Sequence, residues 1–250
     1  MIGRFDRLSL NRFSSEDKAV GVAASAVLAG AVGLAVLNPL AGGSAAAETP
    51  AQAAAAAAEQ GTESKGSAAM TTAEAKEAGY KVAPRDVKAS EVIKLAEKQV
   101  GISEGKDKQT KFHEWYVSTP HAKATAERDG GFSVKAYNGA QWCDMFVSWL
   151  GAQTGVKNMG WDAYTVQHAN WFKDTGRWGK AAKPGSLVFF DWKQGADADL
   201  SAIDHVALVV KDNGDGTIST IEGNTDDAVK QEVRDKSDVV GYGYPDYAKS

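Results

Sequence analysis

Cysteine is almost missing from this chain: Cys143 is the only one in 250 residues. A lone thiol closes no internal disulfide, so no disulfide framework holds the fold together. Clusters of Lys and Arg are missing too. With a net charge of −4 and a pI near 5.6, the chain lacks the basic footprint that nucleic-acid binding usually needs. Large apolar residues are nearly absent between Glu48 and about Ala83, a stretch that cannot bury enough surface to offset chain entropy. No internal repeat is visible, which excludes a solenoid or propeller.

What is present divides the chain into three. Residues 1–18 carry Arg4, Arg7, Arg12 and Lys18, and Ala19–Leu37 is an uncharged run of small and aliphatic residues. Pro39 and Ser44-Ala45-Ala46-Ala47 follow. A basic start, an apolar stretch and an Ala-x-Ala site read as a secretory signal over residues 1–47, cleaved after Ala47. The alternative is an uncleaved membrane anchor, because the run approaches the ~20 residues that span a bilayer. Residues 48–86, with the alanine run Ala53–Ala58, read as a flexible linker. Residues 87–250 read as one folded domain. The protein is thus expected to be secreted, or else tethered by its first segment.

Within that domain the first half has helical periodicity. Ser90 can cap a helix carrying Val92, Ile93, Leu95, Ala96 and Val100, with Gly101 as its stop. A short helix holds Phe112, Trp115 and Tyr116. Residues 117–139 read as a polar, Gly-rich loop. Met145, Phe146, Trp149 and Leu150 recur at helical spacing up to Gly155, and a further helix covers 165–173. The period then shortens. Residues 186–192, 204–211, 216–222, 230–234 and 239–244 are β-branched or aromatic runs separated by turn residues such as Asp212-Asn213-Gly214-Asp215-Gly216. Helices followed by short-linked strands predict an α+β fold with a mainly antiparallel sheet.

Free cysteine is often just a small buried hydrophobe. As a nucleophile it must be a thiolate, and a free thiol with a pKa of ~8.5 is only a few per cent ionised at neutral pH. A helix N-terminus and a neighbouring imidazolium both favour the thiolate. Cys143 opens a predicted helix. Of the four histidines, His113, His121 and His168 read as surface or packing residues. His205 differs, since it opens the strand His205-Val206-Ala207-Leu208-Val209 and is rigidly placed at a strand mouth. A hairpin turning near residue 214 brings Glu222 and Asn224 back beside His205, where a carboxylate or an amide would fix the imidazole tautomer. Asp144 is an awkward neighbour for a thiolate unless it points to solvent. Trp149 and Trp192 suit the core, whereas Trp142 suits a substrate groove.

Four segments together resemble the CHAP family, the cysteine, histidine-dependent amidohydrolases/peptidases. They are Gln141-Trp142-Cys143-Asp144-Met145-Phe146-Val147-Ser148-Trp149, Pro184-Gly185-Ser186-Leu187-Val188-Phe189-Phe190, Asp204-His205-Val206-Ala207-Leu208-Val209 and Ile221-Glu222-Gly223-Asn224. Their order and spacing agree with the family, and the resemblance spans about residues 88–245. It implies a papain-like fold and hydrolysis of peptidoglycan amide bonds, as an N-acetylmuramoyl-L-alanine amidase or an endopeptidase. It makes Cys143 the nucleophile, His205 the general base, Glu222 the orienting group and Asn224 a supporting polar residue. Many relatives carry Gln directly before the cysteine as an oxyanion donor. Here Trp142 intervenes, which leaves Gln141 one position further away and the Cys143 backbone N–H as the other donor. Neither metal nor cofactor is expected, because the segment ahead of Cys143 has no alternating carboxylates and the 212–216 segment lacks the bidentate Glu of a calcium loop. Two other readings remain: a silent wall- or partner-binding module, and a cysteine peptidase acting on proteins.

Overall fold

The computed structural model describes residues 72–249 except residue 78. The expected export signal, and the expected linker as far as residue 71, lie outside the described residues. Helices α1 (Thr72–Glu77), α2 (Ala89–Glu97), α3 (Lys111–Val117), α4 (Pro120–Arg128), α5 (Cys143–Thr154) and α6 (Thr165–Asp174) come first. Strands β1 (Trp178–Gly179), β2 (Leu187–Phe190), β3 (His205–Asp212), β4 (Thr217–Thr225), β5 (Ala228–Asp235) and β6 (Val239–Gly243) follow. They form one antiparallel sheet in the order β1-β6-β2-β3-β4-β5. The fold is α+β, as the change of period predicts, and fits the papain-like architecture of the CHAP family.

Helix α5 is the centre of the molecule. Most of its residues are buried, polar ones included, the pattern of a helix covered on all sides. It packs against β3 and β4 on one side and against α2 and α3 on the other. Gly155, at φ 73°, ends it in the left-handed conformation that a Cβ disfavours. Met145, Phe146, Val147 and Leu150 meet Leu187, Phe189, Val206, Leu208 and Ile221 from the facing side of the sheet. Alternate residues Val188, Phe190, Ala207, Val209 and Ile218 build a second cluster on the reverse face.

The 212–216 segment is a hairpin turn, as read. Asp212 accepts from the Gly214 N–H and from Lys236 Nζ, and Asp215 accepts from the Thr217 N–H. The next hairpin closes at Asp226-Asp227, both left-handed at φ 46° and 58°, the backbone of a tight two-residue turn.

Four expectations change. Residues 120–128 within the predicted loop are helix α4: Thr119 accepts from the Ala122 N–H at 3.1 Å, and Pro120 supplies a preset first position. Helix α2 begins at Ala89, ahead of Ser90, because the Glu91 carboxylate reaches back to the Lys88 N–H at 3.0 Å. Order reaches back past Val87 into residues assigned to the linker: the Lys81 N–H donates to Ala152 O, and Trp115 Nε1 donates to Gly79 O. Trp192 lies outside the core, at 44% exposure.

Candidate active site

Cys143 is the first residue of α5 and is 6% exposed. The first N–H groups of a helix have no partner within it, so Cys143 sits among free donors at the positive end of the helix dipole. His205 is the first residue of β3 and stands beside it. Antiparallel pairing puts Leu208 opposite Ile221, which carries Glu222 to within reach of His205. Nε2 of His205 lies 3.1 Å from Glu222 Oε2. A carboxylate only accepts, so Nε2 is the donor and Nδ1 is left for the thiol. Of Glu222 and Asn224, it is Glu222 that bonds the imidazole.

Glu222 is fully buried and held by more than the imidazole. Arg234 donates from Nε to Oε1 at 2.9 Å and from Nη2 to Oε2 at 2.6 Å. Thr220 Oγ1 donates to Oε1 at 2.6 Å, and Thr225 Oγ1 to Oε2 at 2.9 Å. Burial would raise this carboxyl, but Arg234, then His205 and Thr220, outweigh burial and hold it well below the usual carboxylate range. His205 follows the same logic with the opposite sign. Burial lowers its basicity, yet the adjacent Cys143 side chain and Glu222 raise it, and the balance brings it to about 9.

Arg234 and Trp192 are the site residues that sequence reasoning missed. The Trp192 ring stacks on Phe190 (4.9 Å, 14°) and is inclined over His205 at 5.9 Å. The Arg234 guanidinium lies 5.1 Å from the same indole. An exposed tryptophan thus flanks the histidine and the arginine together. Arg234 is one of several charged residues alternating along β5, and only its register against β4 distinguishes it.

Asn224, at φ 61°, does not bond His205. Its Nδ2 donates to Gln141 Oε1, which leaves the Gln141 amide N–H groups free to donate elsewhere. Trp142 does not line a groove. It is fully buried, stacks on Phe112 at 5.4 Å, and donates from Nε1 to Glu104 Oε1 at 2.9 Å. Gly223 explains how α5 comes so near the strand. A Cβ there would lie 2.6 Å from Phe146 Cβ and 2.9 Å from Trp142 Cζ3, closer than carbon atoms pack.

Asp144 is buried rather than solvated. Its Oδ1 lies 2.6 Å from His168 Nδ1, while His168 Nε2 donates to Met159 O at 2.8 Å. Asp144 Oδ2 has no hydrogen-bond partner. A buried carboxylate oxygen without a donor is costly, a carbonyl-type oxygen less so. Burial pushes this carboxyl up, while Asp144 in turn pushes the His168 imidazole up against its own burial, so the two groups hold one proton between them. The charge expected to oppose a thiolate is therefore cancelled within the pair. His113 is likewise a packing residue, with Nδ1 near the Thr110 N–H and Nε2 near Ala140 O.

No helix among the described residues is long and apolar enough to cross a membrane. Neither curated proteins nor solved structures yield a match to this chain. Residues 135–224 match the family model of the CHAP domain, a segment that opens just before α5 and closes on Asn224. These residues are therefore read as a CHAP domain, a match that indicates hydrolase activity of the amidase/peptidase type.

Proposed function

We propose that the protein cleaves amide bonds of bacterial peptidoglycan through Cys143, His205 and Glu222, and that it does so outside the cytoplasm. The observation that carries this reading is the 3.1 Å bond from His205 to a Glu222 carboxylate that Arg234 also clamps, beside the cysteine that opens α5. Such a triad sets the imidazole tautomer and favours its protonated form after it takes the thiol proton. The Cys143 sulfur attacks the amide carbonyl carbon, and the developing oxyanion is met by the Cys143 backbone N–H and the Gln141 side-chain amide. His205 gives its proton to the leaving nitrogen as the C–N bond breaks. It then takes a proton from water, whose oxygen attacks the thioester carbon, and returns that proton to the sulfur. Acid, amine and free thiol are the products.

The wall as substrate is supported by the family's activity and by the export signal read over residues 1–47. Purified cell walls in suspension test it. Cys143→Ala should abolish turbidity loss while the thermal melting curve keeps its shape, and full lytic activity in that variant would overturn the assignment. Mass analysis of the released fragments separates a cut between sugar and peptide from a cut within the peptide.

A further inference from the structure

A cavity of about 570 Å³ opens between α4, the 158–162 loop and α6. None of Cys143, His205 and Glu222 lines it, and its volume lies within the usual range for a small-ligand site. Three aromatic rings face it: Tyr80, Trp161 and Trp171. Trp161 is held firmly, packed at 4.3 Å by Tyr80 and edge-on by Trp115 at 5.5 Å and His121 at 6.1 Å. This rigidity lowers the entropy lost when a ligand settles on the indole.

The polar lining is rich in hydrogen-bonding groups but carries no spare charge. Arg128 is engaged by two carboxylates, Asp162 at 2.8 Å and Asp129 at 2.7 Å. His168 spends both nitrogens on Asp144 and Met159 O. By contrast, the Gln167 side chain and the indole N–H groups of Trp161 and Trp171 have no partner among the described residues. His121 donates Nε2 to Trp161 O at 2.5 Å, leaving Nδ1 as an acceptor. Flat apolar faces with uncommitted neutral donors and acceptors beside them fit a ligand that is apolar on one face and hydroxyl- or amide-bearing at its edge.

We infer that this cavity binds neutral sugar rings of a glycan, as a site separate from the catalytic centre. An anionic ligand would meet a guanidinium already neutralised, and a purely apolar one would cover the amide and indole N–H groups without pairing them. In a wall hydrolase such a site holds the polymer while a different part of it is cut. The inference stands on the cavity's own chemistry and does not depend on which bond Cys143 attacks.

The test is titration of full-length Cys143→Ala protein with a β-1,4-linked N-acetylglucosamine tetramer, followed by the indole N–H signals in ¹H–¹⁵N spectra. Saturable shifts are expected at Trp161 and Trp171. Gln167→Ala, a change at a partly exposed side chain, should weaken binding about threefold to tenfold, and Trp161→Ala should abolish it. If Trp161→Ala fails to fold, the Gln167→Ala titration and the map of shifts decide alone. Shifts confined to Trp192, no shifts at all, or an affinity unaffected by Gln167→Ala would each overturn the proposal. Should wall lysis survive Cys143→Ala, the catalytic assignment falls, while these shifts still judge the cavity.

Discussion

Two histidine–carboxylate pairs flank the start of α5, and their differences say more than their likeness. His168 and Asp144 are both sealed from solvent, 2.6 Å apart, with one carboxyl oxygen left without a donor. His205 and Glu222 are 3.1 Å apart; every lone pair of that carboxylate is called upon by Arg234, Thr220, Thr225 or the imidazole, and the histidine keeps a sliver of exposure. The same two functional groups therefore meet in one place with an orphaned oxygen and in the other with a carboxylate surrounded by donors. Burial is common to both. The number of donors around the carboxylate separates the two pairs, and of the two histidines it is His205 that stands against the thiol.

The contrast is broken most directly by removing charge from each carboxylate in turn. Glu222→Gln should lower kcat/KM on cell walls on the order of 10²–10⁴-fold, because His205 loses the acceptor that fixes its tautomer. Initial rates of turbidity loss measure this. Arg234→Ala strikes the same carboxylate from the other side. Leaving Glu222 buried with its main counter-charge gone should destabilise the fold by about 3–5 kcal/mol, read by chemical denaturation.

Acidity supplies the next test. His205 has a folded pKa of about 9 against an ordinary 6.5, so its contribution to stability is complete below about pH 6.5 and is lost as pH rises through 9. The protonated ring is also the acid for the leaving amine, so kcat/KM should fall on the alkaline side with an apparent pKa near 9. A limb centred near 7 would refute the ion-pair description. Glu222 has the opposite sign: it stabilises above its ordinary value of 4.5, and that contribution fades only in strong acid. The smallest effect is expected at the other pair. Asp144→Asn keeps a donor towards His168 Nδ1 and a carbonyl-type oxygen in place of the orphan, so stability should change by no more than about 1 kcal/mol. A loss of activity comparable to that of Glu222→Gln would place Asp144 in the reaction.

Much of this site was legible in the chain. The α+β class followed from the change of hydrophobic period, and the return of Glu222 and Asn224 towards His205 from hairpin arithmetic around residue 214, because both depend on local spacing. What failed depended on the third dimension. Trp142 and Trp192 exchange their expected roles: the first is drawn into the core by Phe112 and Glu104, and the second is left over the histidine. Nothing local to either residue encodes that choice. Arg234 reaches Glu222 through strand register, and Asp144 meets His168 twenty-four residues away through helix packing, beyond the reach of periodicity. Helix α4 was hidden because its composition is polar, and its capping threonine and proline were the cue.

Gly223 gives the molecule a spacer defined by what it lacks. Cys143 and His205 belong to different elements, and their separation is fixed where α5 leans on the strand through a position with no side chain. One methyl group there would act like a shim under a hinge. It would leave Cys143, His205 and Glu222 intact and tilt the first away from the other two, so the alignment of this site rests on an atom that is not there.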